Sequence, residues 1–277
     1  MFRNTNYISI CALVCFFIVS ACQAKGDSYG DLLFSTITTQ QKFHIENRKD
    51  APAASYKLNL VFAEQGDEIT KNWINNQFVQ LFFGERYKDK SPEQAELEFT
   101  EAYRTAYLTD ITEPYLQELS EVKSPDKVSF WYNYEFEMRA NIESYQDKLV
   151  TLKTFTANYT GGAHGMYSTN YFNLDLEKQK VLYLKDILVN DYEASVKKLI
   201  ISQLQKDYQT TDLTDKMITV SDIYPTENFL LHPQGITFCF TPYEIAAYAA
   251  GEIEVTLSFK QLKHLLRPNS AIPQLWM

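Results

Sequence analysis

Apolar and polar positions alternate with period two along several stretches of this chain, and with helical period along others. The clearest alternation runs through Val128, Phe130, Tyr132, Tyr134, Phe136, Met138, Ala140 and Ile142, with Asn133, Glu135, Glu137, Arg139 and Asn141 between them. Successive strand residues point to opposite faces, so the pattern predicts a strand with one buried and one wet face. Residues 147–159 predict its hairpin partner after a turn at Ser144-Tyr145-Gln146, which makes the architecture antiparallel. Residues 34–45 and 55–62 predict two earlier strands around the turn-rich segment 47–52.

Ile69, Trp73, Phe78, Leu81 and Phe82 follow helical spacing up to Gly84, which predicts a left-handed cap there. Ser91-Pro92-Glu93-Gln94 reads as a cap with proline in the first turn, opening a helix that carries Leu97, Ala102, Tyr103 and Ala106 and that Pro114 breaks. Beyond a glycine-rich loop at 160–165, residues 167–176 and 180–184 predict a hairpin. Asn190-Asp191-Tyr192-Glu193 offers a capping box for a helix with Val196, Leu199, Ile200 and Leu204 on its buried stripe, ending near Tyr208. Residues 209–226 read as loop. Strands near 228–231, 235–240 and 252–259 and a short helix at 261–266 close the pattern. The fold class is therefore α+β: antiparallel sheets with helices packed on them, in two intimately associated subdomains over 31–145 and 146–266, with a tail at 267–277.

The N-terminus changes the picture from a fold to an address. Arg3 precedes an apolar run at residues 8–19 that is short for a membrane span, and the run ends in Val19-Ser20-Ala21-Cys22. Small residues before the cut fit a signal peptidase, and the cysteine after it is the thiol that lipoprotein processing acylates. The expectation is a lipoprotein signal peptide over 1–21, lipidation at Cys22 and a small polar tether over 22–30. The body is then held to the membrane through the lipid on Cys22, at the periplasmic or outer-membrane face of the cell envelope.

The formal net charge is -9, and removing residues 1–21 takes away only Arg3, which leaves the chain one unit more negative. That balance argues against nucleic acid and suits a cationic partner. Of the four cysteines, Cys11 and Cys15 leave with the signal and Cys22 takes the lipid, so Cys239 has no disulfide partner. Ile236-Thr237-Phe238-Cys239-Phe240 reads as a core strand, which makes this thiol packing and not a nucleophile. With 19 Tyr and 18 Phe the chain has aromatics enough for a β-rich core, a binding surface, or both.

Two local patterns occur together: Tyr159-Thr160-Gly161-Gly162-Ala163-His164-Gly165, and Phe240-Thr241-Pro242-Tyr243-Glu244-Ile245-Ala246-Ala247-Tyr248-Ala249-Ala250-Gly251. With Phe172-Asn173-Leu174-Asp175, Tyr183-Leu184-Lys185-Asp186-Ile187-Leu188 and Ser258-Phe259-Lys260-Gln261-Leu262 they resemble the C-terminal domain shared by the RsiV anti-sigma factor and the non-catalytic part of the peptidoglycan deacetylase PdaC. The resemblance covers roughly 155–266, and residues 30–145 resemble the partner domain that precedes it in those proteins. It implies an α+β ectodomain that binds a ligand, lysozyme in the RsiV case. The cytoplasmic sigma-binding segment and transmembrane helix of RsiV have no counterpart here, nor does the deacetylase domain of PdaC with its metal-binding histidines. Neither anti-sigma activity nor deacetylation carries over.

His164, set among glycines where backbone can approach a ligand, is one candidate binding residue, with Gly161 and Gly162; equally, Gly161, Gly162 and Gly165 supply positive-φ turns and His164 bonds locally. Tyr243, Glu244 and Tyr248, after Pro242, form either a recognition surface or a turn packed on the sheet through Ile245 and Ala246. No nucleophile elbow is present, and His44, His164, His232 and His264 lack metal-ligand spacing, so no catalytic residue, metal or cofactor is assigned. Glu252 and Glu254 read as the solvated side of a strand. The leading expectation is a non-catalytic envelope lipoprotein that binds a lysozyme-like protein or a peptidoglycan fragment. Its rivals are a cell-wall hydrolase using His164 with Asp175 or Glu244, and a structural component of an outer-membrane complex.

Overall fold

The computed structural model describes residues 28, 29, 32–146, 148–268, 270, 272 and 276; residues 1–21, expected to be a signal peptide, and Cys22 lie outside them. In chain order the elements are β1 (Ser28–Tyr29), β2 (Leu32–His44), β3 (Ala53–Gln65), α1 (Glu68–Phe83), α2 (Pro92–Val122), β4 (Tyr134–Gln146), β5 (Leu149–Tyr159), β6 (Met166–Asp175), β7 (Lys180–Leu182), α3 (Leu184–Ile187), α4 (Glu193–Asp207), β8 (Phe229–His232), β9 (Gly235–Phe240), β10 (Ile253–Ser258) and α5 (Phe259–Leu262). Among the described residues β1 to β7 form one sheet in sequence order, and β10-β9-β8 form a second. The class is α+β, as the patterning implies.

Alternation builds the first layer. Tyr56, Leu58 and Leu60 of β3 are fully buried and pack with Phe78 of α1 and with Tyr107, Ile111 and Tyr115 of α2, while Ser55, Lys57 and Asn59 face away. The second core joins Val196, Ile200 and Leu204 of α4 to Phe238, Phe240, Val255 and Leu257 of the small sheet. Asn173 ties the two bodies: its amide nitrogen donates to Phe229 O at 2.8 Å, and its side-chain oxygen accepts from Leu231 N at 3.0 Å. The large sheet runs unbroken past residue 146, because β4 and β5 pair. Ile272 is buried in the second core and Trp276 stacks on Phe259, so these tail residues are docked.

Several local expectations need correction. β3 and β4 pair in parallel, from Ala54 opposite Tyr134 to Asn59 opposite Arg139. The crossover through α1 and α2 returns the chain to the end where β3 began, which a hairpin cannot do. Pro114 does not break α2. Tyr107, Ile111 and Tyr115, at i, i+4 and i+8, carry one buried stripe across it, and that packing outweighs a cost of about 3 kcal/mol for proline in a helix interior. The strand expected from Val128 begins only at Tyr134, after a 3-10 turn at Phe130–Tyr132. Gly84 does end α1 at positive φ, but with φ 96° and ψ 166° it is not a left-handed helical cap. No side chain caps α4, so the box expected at Asn190 is not formed. The last helix is Phe259–Leu262, where Ser258 and Gln261 make a reciprocal capping box. Ser28–Tyr29, assigned to the tether, pair with β2.

Candidate functional site

The β5–β6 connection is shaped by its glycines. Gly161 and Gly162 have φ of 86° and 95°, and a Cβ on Gly161 would stand 2.9 Å from the backbone oxygen of Trp131. Gly165, expected at positive φ, is not there; it is glycine because a Cβ would meet Asn158 O at 2.9 Å. Two tyrosine hydroxyls pin the loop, Tyr159 donating to Gly162 O at 3.0 Å and Tyr248 to Gly165 O at 2.9 Å.

His164 is exposed in this loop. Its Nδ1 lies 3.0 Å from Gly165 O and its Nε2 3.3 Å from the Tyr243 hydroxyl. Its ring stacks on Tyr248 at 4.2 Å between centroids; Tyr248 in turn contacts Tyr243 at 5.5 Å and meets Tyr167 edge-on at 5.9 Å. Tyr243 is 57% exposed and holds φ at 73°, a left-handed conformation that costs a bulky residue about 1–2 kcal/mol. The turn around it closes through Glu244, whose carboxylate accepts from Thr241 N at 2.8 Å and from Thr241 Oγ1 at 3.1 Å.

The fold thus brings Gly161, Gly162, His164, Tyr243 and Tyr248 together, and leaves Glu244 facing elsewhere, toward Thr241 and the Tyr224 hydroxyl. Burial, and then Glu244, push the Tyr224 phenol above its ordinary range. Asp175 lies at the opposite end of ten-residue β6, on the order of 30 Å from the loop at strand rise, with its carboxylate accepting from Lys178 N at 3.0 Å. Among the described residues no carboxylate is hydrogen-bonded to His164, and none form a group of three that could hold a metal ion.

Glu252 and Glu254 are not simply solvated. Glu252 accepts from the backbone N–H and the hydroxyl of Thr169, and Glu254 from the Tyr171 hydroxyl at 2.9 Å. Glu252 and Asn228, which bonds Tyr171 N and Thr169 O, satisfy the stretch of the β6 edge beyond its pairing with β7. Cys239 is buried behind them, and burial followed by the charges of Glu252 and Glu254 pushes its thiol up to about 12.

Reading the alternation alone misses Phe130 and Trp131. They are 67% and 49% exposed with ring centroids 5.8 Å apart, on a turn fixed from below. Glu118 accepts from Ser129 N and Oγ at 3.0 and 2.6 Å, Asn133 donates to Phe130 O at 3.0 Å, and Tyr107 donates to Tyr132 O at 3.1 Å. Three consecutive aromatics cannot all follow a period of two, and that was the available signal. The Trp131 backbone abuts Gly161, so Phe130 and Trp131 stand on a turn beside the glycine loop. Beside it a groove of about 350 Å³ opens across β3 to β6, and a second cleft of about 560 Å³ lies against α2, lined by Asp110, Tyr134 and Thr160 among others. In that cleft burial, and then a 2.7 Å hydrogen bond to Asp110, push Tyr134 up to about 12.

The model of a family described as "Protein of unknown function (DUF3298)" matches residues 185–260. A crystal structure of a member of that family from Bacteroides fragilis is 32% identical, with a TM-score of 0.81, over 87% of this chain and 96% of the other. A second, from Pseudomonas aeruginosa, is 16% identical with a TM-score of 0.59 over 87% and 97% of the two chains, and shares the fold. The peptidoglycan-N-acetylmuramic acid deacetylase PdaC of Bacillus subtilis is 26% identical over 151 residues, 53% of this chain; the match spans about a third (32%) of that protein.

Proposed function

The chain belongs to the DUF3298 family, and we propose that it is a lipid-anchored envelope protein whose non-catalytic body binds peptidoglycan at the glycine-loop surface. The observation that carries this reading is the aromatic surface itself. Phe130 and Trp131 stand exposed on a turn fixed through its backbone, and His164, Tyr243 and Tyr248, from two further segments, hold one another by ring contacts and hydrogen bonds. Exposed aromatics fixed in this way, one of them in a left-handed conformation, are unfavourable in an unliganded surface and are what a recognition site uses. Peptidoglycan as ligand is supported by the similarity to PdaC, a peptidoglycan deacetylase, and the anchor by Ser20-Ala21-Cys22 after its apolar run. We read residues 31–145 as the partner domain of the RsiV and PdaC pattern.

The test is co-sedimentation of the detergent-solubilised full chain with purified peptidoglycan sacculi. The wild type pellets, and Trp131→Ala and Tyr243→Ala each reduce the bound fraction as loss of an anchor worth about 1–2 kcal/mol would. Recovery of the wild type in the supernatant overturns the reading. The net charge of -9 favours a second reading, a cationic lysozyme-like protein on the same surface. Its mark is an association rate that falls steeply as salt rises.

A further inference from the structure

The groove beside the glycine loop carries charges that the aromatic surface does not use. Its floor is built from two cross-strand rows, Ser55, Glu135 and Tyr159 in one, and Lys57, Glu137, Ala157 and Tyr167 in the next. Ala157 is the small residue between Glu137 and Tyr167. With Ser55 and Gly165 it leaves the concavity of about 350 Å³ between longer side chains, a size typical of small-ligand sites. The walls are preorganised, because the hydroxyls of Tyr248 and Tyr159 are fixed on Gly165 O and Gly162 O and binding need not order them.

The charges are set apart. Glu137 is held by Arg139 at 3.2 Å, while among the described residues Lys57 and Glu135 have neither an ion-pair nor a hydrogen-bond partner. Lys57 stands opposite Glu137 and diagonal to Glu135, about 7–8 Å apart at ladder spacing. An unpaired ammonium and an unpaired carboxylate therefore stand side by side along the β3–β4 flank of an aromatic-walled hollow. A neutral sugar would only hydrogen-bond to these groups and leave their charges uncompensated, and a ligand of one sign would be repelled by one member.

We propose that this groove takes a short peptide bearing both a free carboxylate and a free ammonium, the chemistry of a peptidoglycan stem peptide and not of its glycan backbone. Lys57 faces the carboxylate, Glu135 faces the ammonium, and Tyr248 covers the chain between them. The assignment rests on the peptidoglycan reading and names the part of the polymer that is recognised.

Calorimetric titration of the detergent-solubilised full chain with three probes tests it: an N-acetylglucosamine tetrasaccharide, a free stem tripeptide ending in a diamino acid, and the disaccharide carrying that peptide. The tripeptide and the disaccharide-peptide bind. Ala157→Phe, which fills the hollow, weakens both about tenfold or more, and Lys57→Met or Glu135→Gln weakens both severalfold. Should Ala157→Phe not fold, the two charge variants, at exposed positions, carry the test. Binding of the tetrasaccharide without the tripeptide, unchanged in Lys57→Met and Glu135→Gln, overturns this assignment and leaves the peptidoglycan reading standing. No binding of any probe, together with no retention on sacculi, overturns both.

Discussion

The imidazole of His164 lies against the phenol ring of Tyr248, with centroids 4.2 Å apart and planes inclined by 21°. The Tyr248 hydroxyl also reaches Gly165 O at 2.9 Å, so Tyr248 holds the loop by ring and hydroxyl, and His164 rests on it.

That asymmetry sets the cost of each truncation. His164→Ala loses a stack and local hydrogen bonds at an exposed site, about 1 kcal/mol, and leaves the fold intact; Tyr248→Ala loses more, about 2–3 kcal/mol, because its ring contacts with His164, Tyr243 and Tyr167 go together with its hydrogen bond to Gly165 O. Thermal unfolding of both variants checks the order. Equal losses would contradict it, and loss of a measurable cell-wall turnover in His164→Ala would restore the hydrolase rival.

The two loop glycines separate strain from collision. Gly162→Ala meets only an unfavourable positive φ, about 1–2 kcal/mol, since nothing lies within 4 Å of its Cβ. Gly161→Ala meets the same strain and the Trp131 carbonyl at 2.9 Å, a backbone atom that cannot rotate away. Urea unfolding midpoints should rank Gly161→Ala lowest, with altered tryptophan emission in that variant alone. The reverse order would mean that the turn at Phe130–Tyr132 is not fixed against the loop.

Much of this architecture was legible because each strand with one covered face prints its period on the chain, as in Tyr134 to Ile142. What escaped was decided by partners distant in sequence. Pro114 is tolerated because Tyr107, Ile111 and Tyr115 are buried on both sides of it. Val128 to Tyr132 has strand composition, yet bonds from Glu118, Asn133 and Tyr107 hold it as turns. The parallel β3–β4 pair follows from the helical crossover, which periodicity does not report. Within the candidate site, glycines and Pro242 marked the loops, so His164, Tyr243 and Tyr248 were nameable. Trp131 was not, because its role comes from contact with Gly161. Nor was the groove, because Ala157 draws attention only when its cross-strand neighbours are known.

Cys239 gives a pH dependence. Its folded thiol is pushed from the ordinary value of 9.0 up to about 12 by burial, so above pH 9 the unfolded chain releases a proton that the folded chain keeps. This contribution is fully present below pH 9 and is lost as pH rises toward 12. Unfolding free energy should fall more steeply with alkalinity in the wild type than in Cys239→Ala. The native thiol should ignore a disulfide reagent at pH 8 and react on unfolding; prompt native reaction would contradict its burial.

Lipidation at Cys22 is checked by mass spectrometry of the N-terminal peptide from membranes. The expected species begins at Cys22 and carries acyl chains, and Cys22→Ala releases the protein from the membrane fraction. An unmodified Cys22, or cleavage at another bond, contradicts the anchor.

The chain has three tryptophans, Trp73, Trp131 and Trp276, and they make the central claim directly measurable. Trp73 packs against the first core and Trp276 against Phe259, while Trp131 stands exposed beside Gly161. With 5-fluorotryptophan incorporated and each signal assigned by substitution, fluorine NMR is recorded while soluble peptidoglycan fragments are added. The account predicts a saturable shift of the Trp131 resonance with Trp73 and Trp276 unmoved. A titration that moves none of the three, or moves Trp73 or Trp276 and leaves Trp131 in place, contradicts it.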